Sequence, residues 1–233
     1  MKHDIARVGL RLHGVEQRRQ LRTLPFADCA PSLDAIVARY LRSIRQRAQV
    51  GKRQAGGPFD QPADLEPVFE AGEPEVMSVG CPGGEGCLVP ASAKAALRVF
   101  ERAAAGVLGP GMGRDPGSVE LAREIVGAIE APLVIDADGL NAFADHLGPS
   151  AAREAPTLLT PHAGELGRLL GRDSEEVGAH RLACAREAAR AAAAIVVLTG
   201  DDTIVSDGER VAVNALSAPA LATAGSGDVL SGI

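Results

Sequence analysis

A glycine-rich loop near the end of the sequence has the residue types of an anion site. Gly225, Ser226 and Gly227 lie directly before Asp228 and the apolar residues 229–230. This pattern is typical of a tight loop that leads into a helix, where free backbone N–H groups and the helix dipole favour phosphate. A carboxylate beside phosphate is repelled by it, so we predict that Asp228 is a general base that takes a proton from an attacking hydroxyl. The alternative is an ordinary turn in which Asp228 satisfies the start of the helix.

A second glycine-rich loop lies in the middle of the chain. Gly109, Gly111 and Gly113 surround Pro110 directly after the apolar residues 107–108. Glycines at this spacing expose the backbone and permit the close approach of a phosphate-bearing ligand. The alternative is a plain turn between a strand and a helix.

Two polar pairs are each spaced three residues apart. Asp138 and Asn141 follow a predicted strand, where they would orient substrate hydroxyls or water, or would cap and turn the chain. His162 and Glu165 would share one face if Pro161 opens a helical turn. A glutamate facing phosphates is favourable when a divalent cation or its water lies between them, so we predict that Glu165 contacts Mg²⁺ through water.

Apolar runs and turn signals predict the elements that position these motifs. Asp115 is placed to cap a helix that has Pro116 at its first position, and Ser174 to cap a long helix that reaches Ala194. The Asp-Gly pair at 207–208 predicts a hairpin. Strand and helix in series indicate a doubly wound α/β sheet with its site at the strand ends. The predicted strands are residues 107–108, 132–135, 157–160, 195–198, 203–206 and 211–213.

Composition indicates a cytoplasmic enzyme with an unusual N-terminal segment. The 233 residues are 46% hydrophobic, contain no run of about 20 apolar residues and show no signal peptide pattern, which excludes a membrane-spanning class. Residues 1–53 carry 12 Lys and Arg against 4 Asp and Glu, whereas the remainder carries 12 against 26. A basic stretch at 39–47 would suit nucleic acid, but Ile36, Tyr40 and Ile44 at four-residue spacing favour a solvated amphipathic helix, so we expect no nucleic-acid partner.

The glycine-rich loops and polar pairs follow one another in an order that resembles the ADP/ATP-dependent NAD(P)H-hydrate dehydratases of the ribokinase-like superfamily. The likeness covers about residues 62–233, and residues 1–61 read as an atypical basic segment and linker. It implies an α/β, ribokinase-like doubly wound sheet with helices on both faces, incomplete at both ends. It also implies ADP or ATP as co-substrate with Mg²⁺, the hydrated dinucleotides NADHX and NADPHX as substrates, and a homotetramer.

The resemblance also implies roles for single residues. The substrate would contact Gly111, Gly113, Asp138, Asn141, His162 and Asp228, although a lone histidine is more often structural. The nucleotide would contact Thr199, Gly200, Asp201, Asp202, Thr203, Gly225, Ser226 and Gly227. Thr199 stands where the family usually has lysine, and the two aspartates after Gly200 add negative charge, which bears on nucleotide affinity.

The predicted reaction is phosphoryl transfer followed by elimination. Asp228 would take the proton from the C6 hydroxyl of hydrated NADH or NADPH while the amides of residues 225–227 stabilise the transferred phosphoryl group. Loss of phosphate then restores the dihydronicotinamide ring. Two alternatives stay open: a small-molecule kinase of the hydroxymethylpyrimidine or thiazole type, which stops after phosphorylation, and a catalytically weak nucleotide-binding remnant.

Overall fold

The computed structural model describes residues 59–63, 78–84, 87–101, 103–214 and 230. Two small sheets come first: β1 (Phe59–Pro62) pairs in parallel with β2 (Ser78–Cys81), and β3 (Gly83–Gly84) pairs antiparallel with β4 (Cys87–Leu88). A 3₁₀ turn at Pro90–Ser92 then leads into α1 (Ala93–Phe100). The predicted elements before residue 59 and the loop 225–228 lie outside the described residues.

Within the described residues, the main sheet has six strands, in the spatial order of the sequence. They are β5 (Gly106–Leu108), β6 (Leu133–Ile135), β7 (Thr157–Leu159), β8 (Ile195–Leu198), β9 (Thr203–Ser206) and β10 (Val211–Asn214). β5 to β8 are parallel to one another. β9 pairs antiparallel with β8, and β9 and β10 form an antiparallel hairpin. All three residues of β6 are buried, as expected for a strand covered on both faces. The predicted α/β fold and hairpin are confirmed.

Helices connect the parallel strands. They are α2 (Pro116–Ala128), α3 (Ala137–Asn141), α4 (Gly148–Ala151), α5 (Ala163–Leu170), α6 (Ser174–Ala179) and α7 (Arg181–Ala192). The predicted cap of α2 is confirmed, since the Asp115 carboxylate accepts from the N–H groups of Gly117 and Ser118. The Ser118 hydroxyl and these N–H groups hold the pKa of Asp115 below its usual value. None of the described helices has both the length and the apolar character needed to cross a membrane.

The prediction of one long helix capped by Ser174 is wrong in two respects. Asp173 is the cap, because its carboxylate accepts from the Glu176 N–H (2.7 Å). The helix also stops at Ala179, and a new one begins at Arg181. Between them, His180 leaves helical geometry (φ −129°, ψ 35°). Glycine at position 178 weakens the first helix locally, and the break coincides with the long-range bonds of Arg181 described below.

Arg153 joins α2, β6 and β7 at the end of the sheet where these parallel strands begin. Its guanidinium donates to the carbonyls of Val126 (2.6 Å), Ile129 (2.7 Å) and Ala131 (2.7 Å) and to the Thr157 hydroxyl (3.0 Å). Burial lowers the pKa of Arg153. A cation at the C-terminus of α2 also complements the helix dipole. This arginine therefore fixes the helix and the starts of two strands whose other ends carry the candidate site.

Candidate functional site

The candidate site lies at the edge of the sheet where the four parallel strands end. Leu108, Ile135, Leu159 and Leu198 are the last residues of β5 to β8. Open α/β sheets bind ligands outside the carboxyl ends of their strands. Every described residue of the predicted substrate and nucleotide sets follows one of these four strands.

The loops after β5 and β6 meet through their main chains because two glycines face each other. A Cβ on Gly109 would lie 1.8 Å from the carbonyl oxygen of Asp136, and a Cβ on Gly139 would lie 3.0 Å from the Cα of Gly109. Gly109, Gly111 and Gly113 all have positive φ (131°, 74° and 79°), which glycine adopts readily. The predicted glycine-rich loop after β5 is confirmed, and a Cβ on Gly111 would meet only open space.

Two aspartates follow β6, one on each side of a strained residue. Asp136 is buried, and its Oδ1 accepts from the Thr160 hydroxyl at 2.7 Å. Ala137 has a φ of 48°, a left-handed conformation that is costly for alanine. Asp138 then lies in the first turn of α3. Sequence reasoning did not assign a role to Asp136, although its place directly after a buried strand was the available signal.

Asp138 and Asn141 are brought together with the glycine-rich loop. Asp138 Oδ2 accepts from the Gly113 N–H (3.1 Å), and its Oδ1 accepts from Arg114 Nε (2.8 Å). The Asn141 amide donates to Asp138 Oδ1 at 3.4 Å, and its Oδ1 accepts from Arg168 Nε at 2.7 Å. Three of the predicted substrate residues thus belong to one hydrogen-bonded network, and both arginines were missed from the sequence.

His162 and Glu165 form the start of α5. The prediction that Pro161 opens the helical turn is wrong. His162 is the N-cap, and the helix begins at Ala163. His162 Nδ1 accepts from the Gly164 N–H (2.9 Å), so the ring proton lies on Nε2, which is 3.5 Å from Glu165 Oε1. Glu165 Oε2 accepts from the His162 N–H at 2.9 Å. The pair is a capping box built with histidine, and the His162 side chain stays 58% exposed.

The described residues offer Mg²⁺ no ready-made set of direct ligands. Within the part of the chain that the structure describes, no three His, Cys, Asp or Glu side chains group as metal ligands. The Glu165 carboxylate is largely buried, and both of its oxygens face His162. These donors do not fit a resident metal site with direct protein ligands.

The loop between β8 and β9 is held by an arginine from the start of α7. Arg181 Nε donates to Asp202 Oδ1 (2.8 Å), and its Nη2 donates to the Asp202 carbonyl (3.0 Å). A Cβ on Gly200 would lie 2.8 Å from the same guanidinium. Thr199 bonds to the loop after β7, since its N–H donates to the Pro161 carbonyl at 3.0 Å. The negative charge of Asp202 is therefore balanced, while Asp201 is exposed and Thr203 opens β9.

The catalytic prediction, Asp228, and the phosphate-loop residues Gly225, Ser226 and Gly227 lie outside the described residues. The structure therefore brings together the predicted substrate residues after β5, β6 and β7 and sets the predicted nucleotide residues after β8 next to them. Arg181 had no local signal, because its partner is 21 residues away in the chain.

Known proteins resemble this chain in both sequence and fold. The profile of the NAD(P)H-hydrate dehydratase family matches residues 68–233. The bifunctional NAD(P)H-hydrate repair enzyme Nnr of Moorella thermoacetica is 42% identical over 128 residues, which are 54% of this chain and 24% of that enzyme. Nnr of Salinibacter ruber is 41% identical over 150 residues, 64% of this chain and 27% of that enzyme. The chain spans about a quarter of the length of these curated relatives.

A solved structure supports the same conclusion. The ADP/ATP-dependent NAD(P)H-hydrate dehydratase from Bacillus subtilis, co-crystallised with ATP/Mg²⁺, is 25% identical, with a TM-score of 0.56. The alignment covers 73% of this chain and 57% of that one. The resemblance predicted from the motifs is confirmed, because the family profile covers most of the sequence. The chain belongs to the NAD(P)H-hydrate dehydratase family.

Proposed function

We propose that this chain carries out the ADP- or ATP-dependent dehydration of NADHX and NADPHX to NADH and NADPH, which makes it a hydro-lyase of metabolite repair. One observation carries the proposal: the loops after β5, β6 and β7 hold the predicted substrate residues at one edge of the sheet, in a chain of the dehydratase family. The relatives are named as NAD(P)H-hydrate repair enzymes, which gives the substrate class.

The substrate would lie over the glycine-rich loop and the start of α5. Gly111 leaves room for its close approach, and the positive φ of Gly113 keeps the backbone of the loop in place beside it. The exposed edge of the His162 ring offers an N–H donor to a hydroxyl or carboxamide of the ligand. Because His162 Nδ1 is committed to the cap of α5, Nε2, which lies 3.5 Å from Glu165 Oε1, is the ring atom that would make this contact. Asp138 and Asn141 would act mainly by fixing the groups around the ligand.

The adenine nucleotide would bind next to this proposed substrate site, at the loop after β8. Residues 199–203 are tied to the loop after β7 through Thr199 and to α7 through Arg181. The loop 225–227 would complete the phosphate site. A relative was co-crystallised with ATP/Mg²⁺, so we propose that Mg²⁺ enters with the nucleotide phosphates and that Glu165 contacts one of its waters.

Asp228 is the proposed general base. It would take the proton of the C6 hydroxyl as that oxygen attacks the γ-phosphorus of ATP, or the β-phosphorus of ADP, and the shortened nucleotide leaves. The C6–O bond then breaks, phosphate departs with the electron pair, and loss of a proton from C5 restores the ring double bond. The proposal also includes a cytoplasmic location and a homo-oligomer, the second of which light scattering on the purified chain tests.

The experiment replaces the base. Asp228→Asn should lower turnover by about 10²–10⁴, the usual scale for loss of a general base, and leave ATP affinity largely unchanged. Glu120→Gln, at an exposed position of α2, is the matched control and should behave like the wild type. Turnover of Asp228→Asn close to that of the control would contradict the assignment.

A further inference from the structure

Two arginines approach the loop after β6 from opposite sides. Arg114 follows β5 and donates through Nε to Asp138, whereas Arg168 lies on α5 after β7 and donates through Nε to Asn141. Since β6 lies between β5 and β7, the two acceptors form a bridge between the arginines. Asp138 and Asn141 are three residues apart and are hydrogen-bonded to each other at 3.4 Å. Four side chains thus form one hydrogen-bonded series beyond the carboxyl ends of β5, β6 and β7.

The arginines are held by one nitrogen each and leave the rest of the guanidinium exposed. Arg114 is 65% exposed, and Arg168 is also exposed. Among the described residues, neither has a hydrogen-bond acceptor for its terminal Nη groups. An arginine anchored through Nε presents two parallel N–H donors, which is the geometry that binds phosphate in a bidentate manner.

The Arg168 guanidinium lies near His162 at the start of α5. Its Nη1 lies 3.8 Å from the point where a Cβ on Gly164 would be, and the His162 ring lies 2.9 Å from that same point. The absence of a side chain at Gly164 therefore permits the close approach of the His162 ring at the N-terminus of α5, and Arg168 borders the same place. The Arg168 carbonyl also accepts from the Asp145 N–H (3.1 Å), so main chain and side chain are both tied to the segment around α3.

The net charge of this hydrogen-bonded series favours the binding of an anion. Arg114 is paired with Asp138, whereas the side-chain anchor of Arg168 is a neutral amide. Two positive charges and one negative charge leave a net charge of +1 on this network. The helix dipole at the start of α5 is also positive, and the Glu165 carboxylate in its first turn offsets part of that potential.

We infer that Arg114 and Arg168 bind a phosphate group of the dinucleotide substrate and that Asp138 and Asn141 hold them in place. The nucleotide loop follows β8, two strands from β6, so strand spacing alone separates the two sites by about 10 Å. This separation of the nucleotide loop from Asp138 and Asn141 favours the dinucleotide over ATP as the ligand of the arginines, and the ATP measurement below decides between them. The inference rests on the proposed function, because it deepens the same substrate site.

Direct binding of ligand without nucleotide tests the inference. Calorimetry would compare hydrated NADH and hydrated NADPH on the wild-type chain, on Arg168→Met and on Arg114→Met. The matched control is Arg98→Met, an exposed arginine in the last turn of α1, the helix that leads to the start of β5. We expect each variant at the site to weaken hydrate binding about tenfold or more, since a charged hydrogen bond is lost, and to leave ATP affinity unchanged. Equal losses for both hydrates identify the pyrophosphate, and a loss for hydrated NADPH alone identifies the 2′-phosphate.

Three results would overturn the inference. These are hydrate affinity in both variants equal to that of Arg98→Met, an equal loss of ATP affinity, and a wild-type chain that binds neither hydrate. Arg114 is exposed enough that its variant should fold even if the Arg168 variant does not. Turnover with ATP is measured separately. A chain that binds the hydrates without converting them would contradict the proposed function, and the effect of the two arginine variants on hydrate affinity would still be measured.

Discussion

Arg181 is predicted to set nucleotide affinity through the loop between β8 and β9. Arg181→Met removes the bond to Asp202 Oδ1 (2.8 Å) and the bond to the Asp202 carbonyl (3.0 Å), together with longer contacts to the carbonyls of Leu198 (3.5 Å) and Thr199 (3.4 Å). At about 1–1.5 kcal/mol for each short bond, the free energy of unfolding should fall by about 2–3 kcal/mol. We count the longer contacts as negligible, because their geometry is poor.

The same change should weaken ATP binding. Once Arg181 is absent, ATP has to order part of the loop itself, and fixing about one residue costs about 1–2 kcal/mol. That corresponds to roughly a tenfold loss of affinity. Asp202→Asn in the Arg181→Met background should recover part of the affinity, because it removes the carboxylate that the first change leaves unpaired.

Urea denaturation and calorimetry with ATP measure these two effects. Arg98→Met serves as the control for the loss of one positive charge. The reasoning is refuted if Arg181→Met is destabilised as expected but binds ATP as tightly as the control, since Arg181 would then support the fold without positioning a nucleotide loop. It is also refuted if the free energy of unfolding does not change.

Three further predictions concern other parts of the structure. Arg153→Met should lower the free energy of unfolding by about 3–5 kcal/mol in urea denaturation, because it removes four hydrogen bonds in a partly buried site, and a loss below about 1 kcal/mol would contradict this. His162→Asn keeps a cap acceptor but loses the ring, so calorimetry should find weaker hydrate binding at an unchanged melting temperature; the reverse result would make His162 structural. The pKa of Asp115 is lowered on folding, so its stabilisation is present above about pH 4 and is lost as the pH falls through that lowered value; Asp115→Asn should flatten acid unfolding curves there, and identical curves would refute it.

Local signals in the sequence were enough to predict much of the fold. The Asp115-Pro116 pair marks the start of α2, and the Asp-Gly pair at 207–208 marks the hairpin of β9 and β10, because each acts through main-chain geometry within a few residues. The glycine-rich loop after β5 was predicted for the same reason. Its closest contact, with the main chain of Asp136, was not, because it depends on the pairing of β5 with β6.

The parts that sequence reasoning missed depend on contacts between distant residues. The break at His180 accompanies the bonds of Arg181 to Asp202, and Gly178, a local signal, does not by itself show that the helix ends there. Arg168 lies three residues after Glu165, yet its link to Asn141 appears only when α3 and α5 pack together. Residue types therefore indicated the site, whereas the side chains that hold its loops in place required the structure.

The most direct test of the proposed dehydratase activity is the recovery of reduced-nicotinamide absorbance when the chain is incubated with hydrated NADH and ATP or ADP. We predict that absorbance recovers only when a nucleotide is present and that phosphate is released in an amount equal to the NADH formed. Formation of a phosphorylated hydrate without recovery would identify a kinase that stops after phosphoryl transfer. Nucleotide binding with neither product would contradict enzymatic function and identify the chain as a nucleotide-binding remnant.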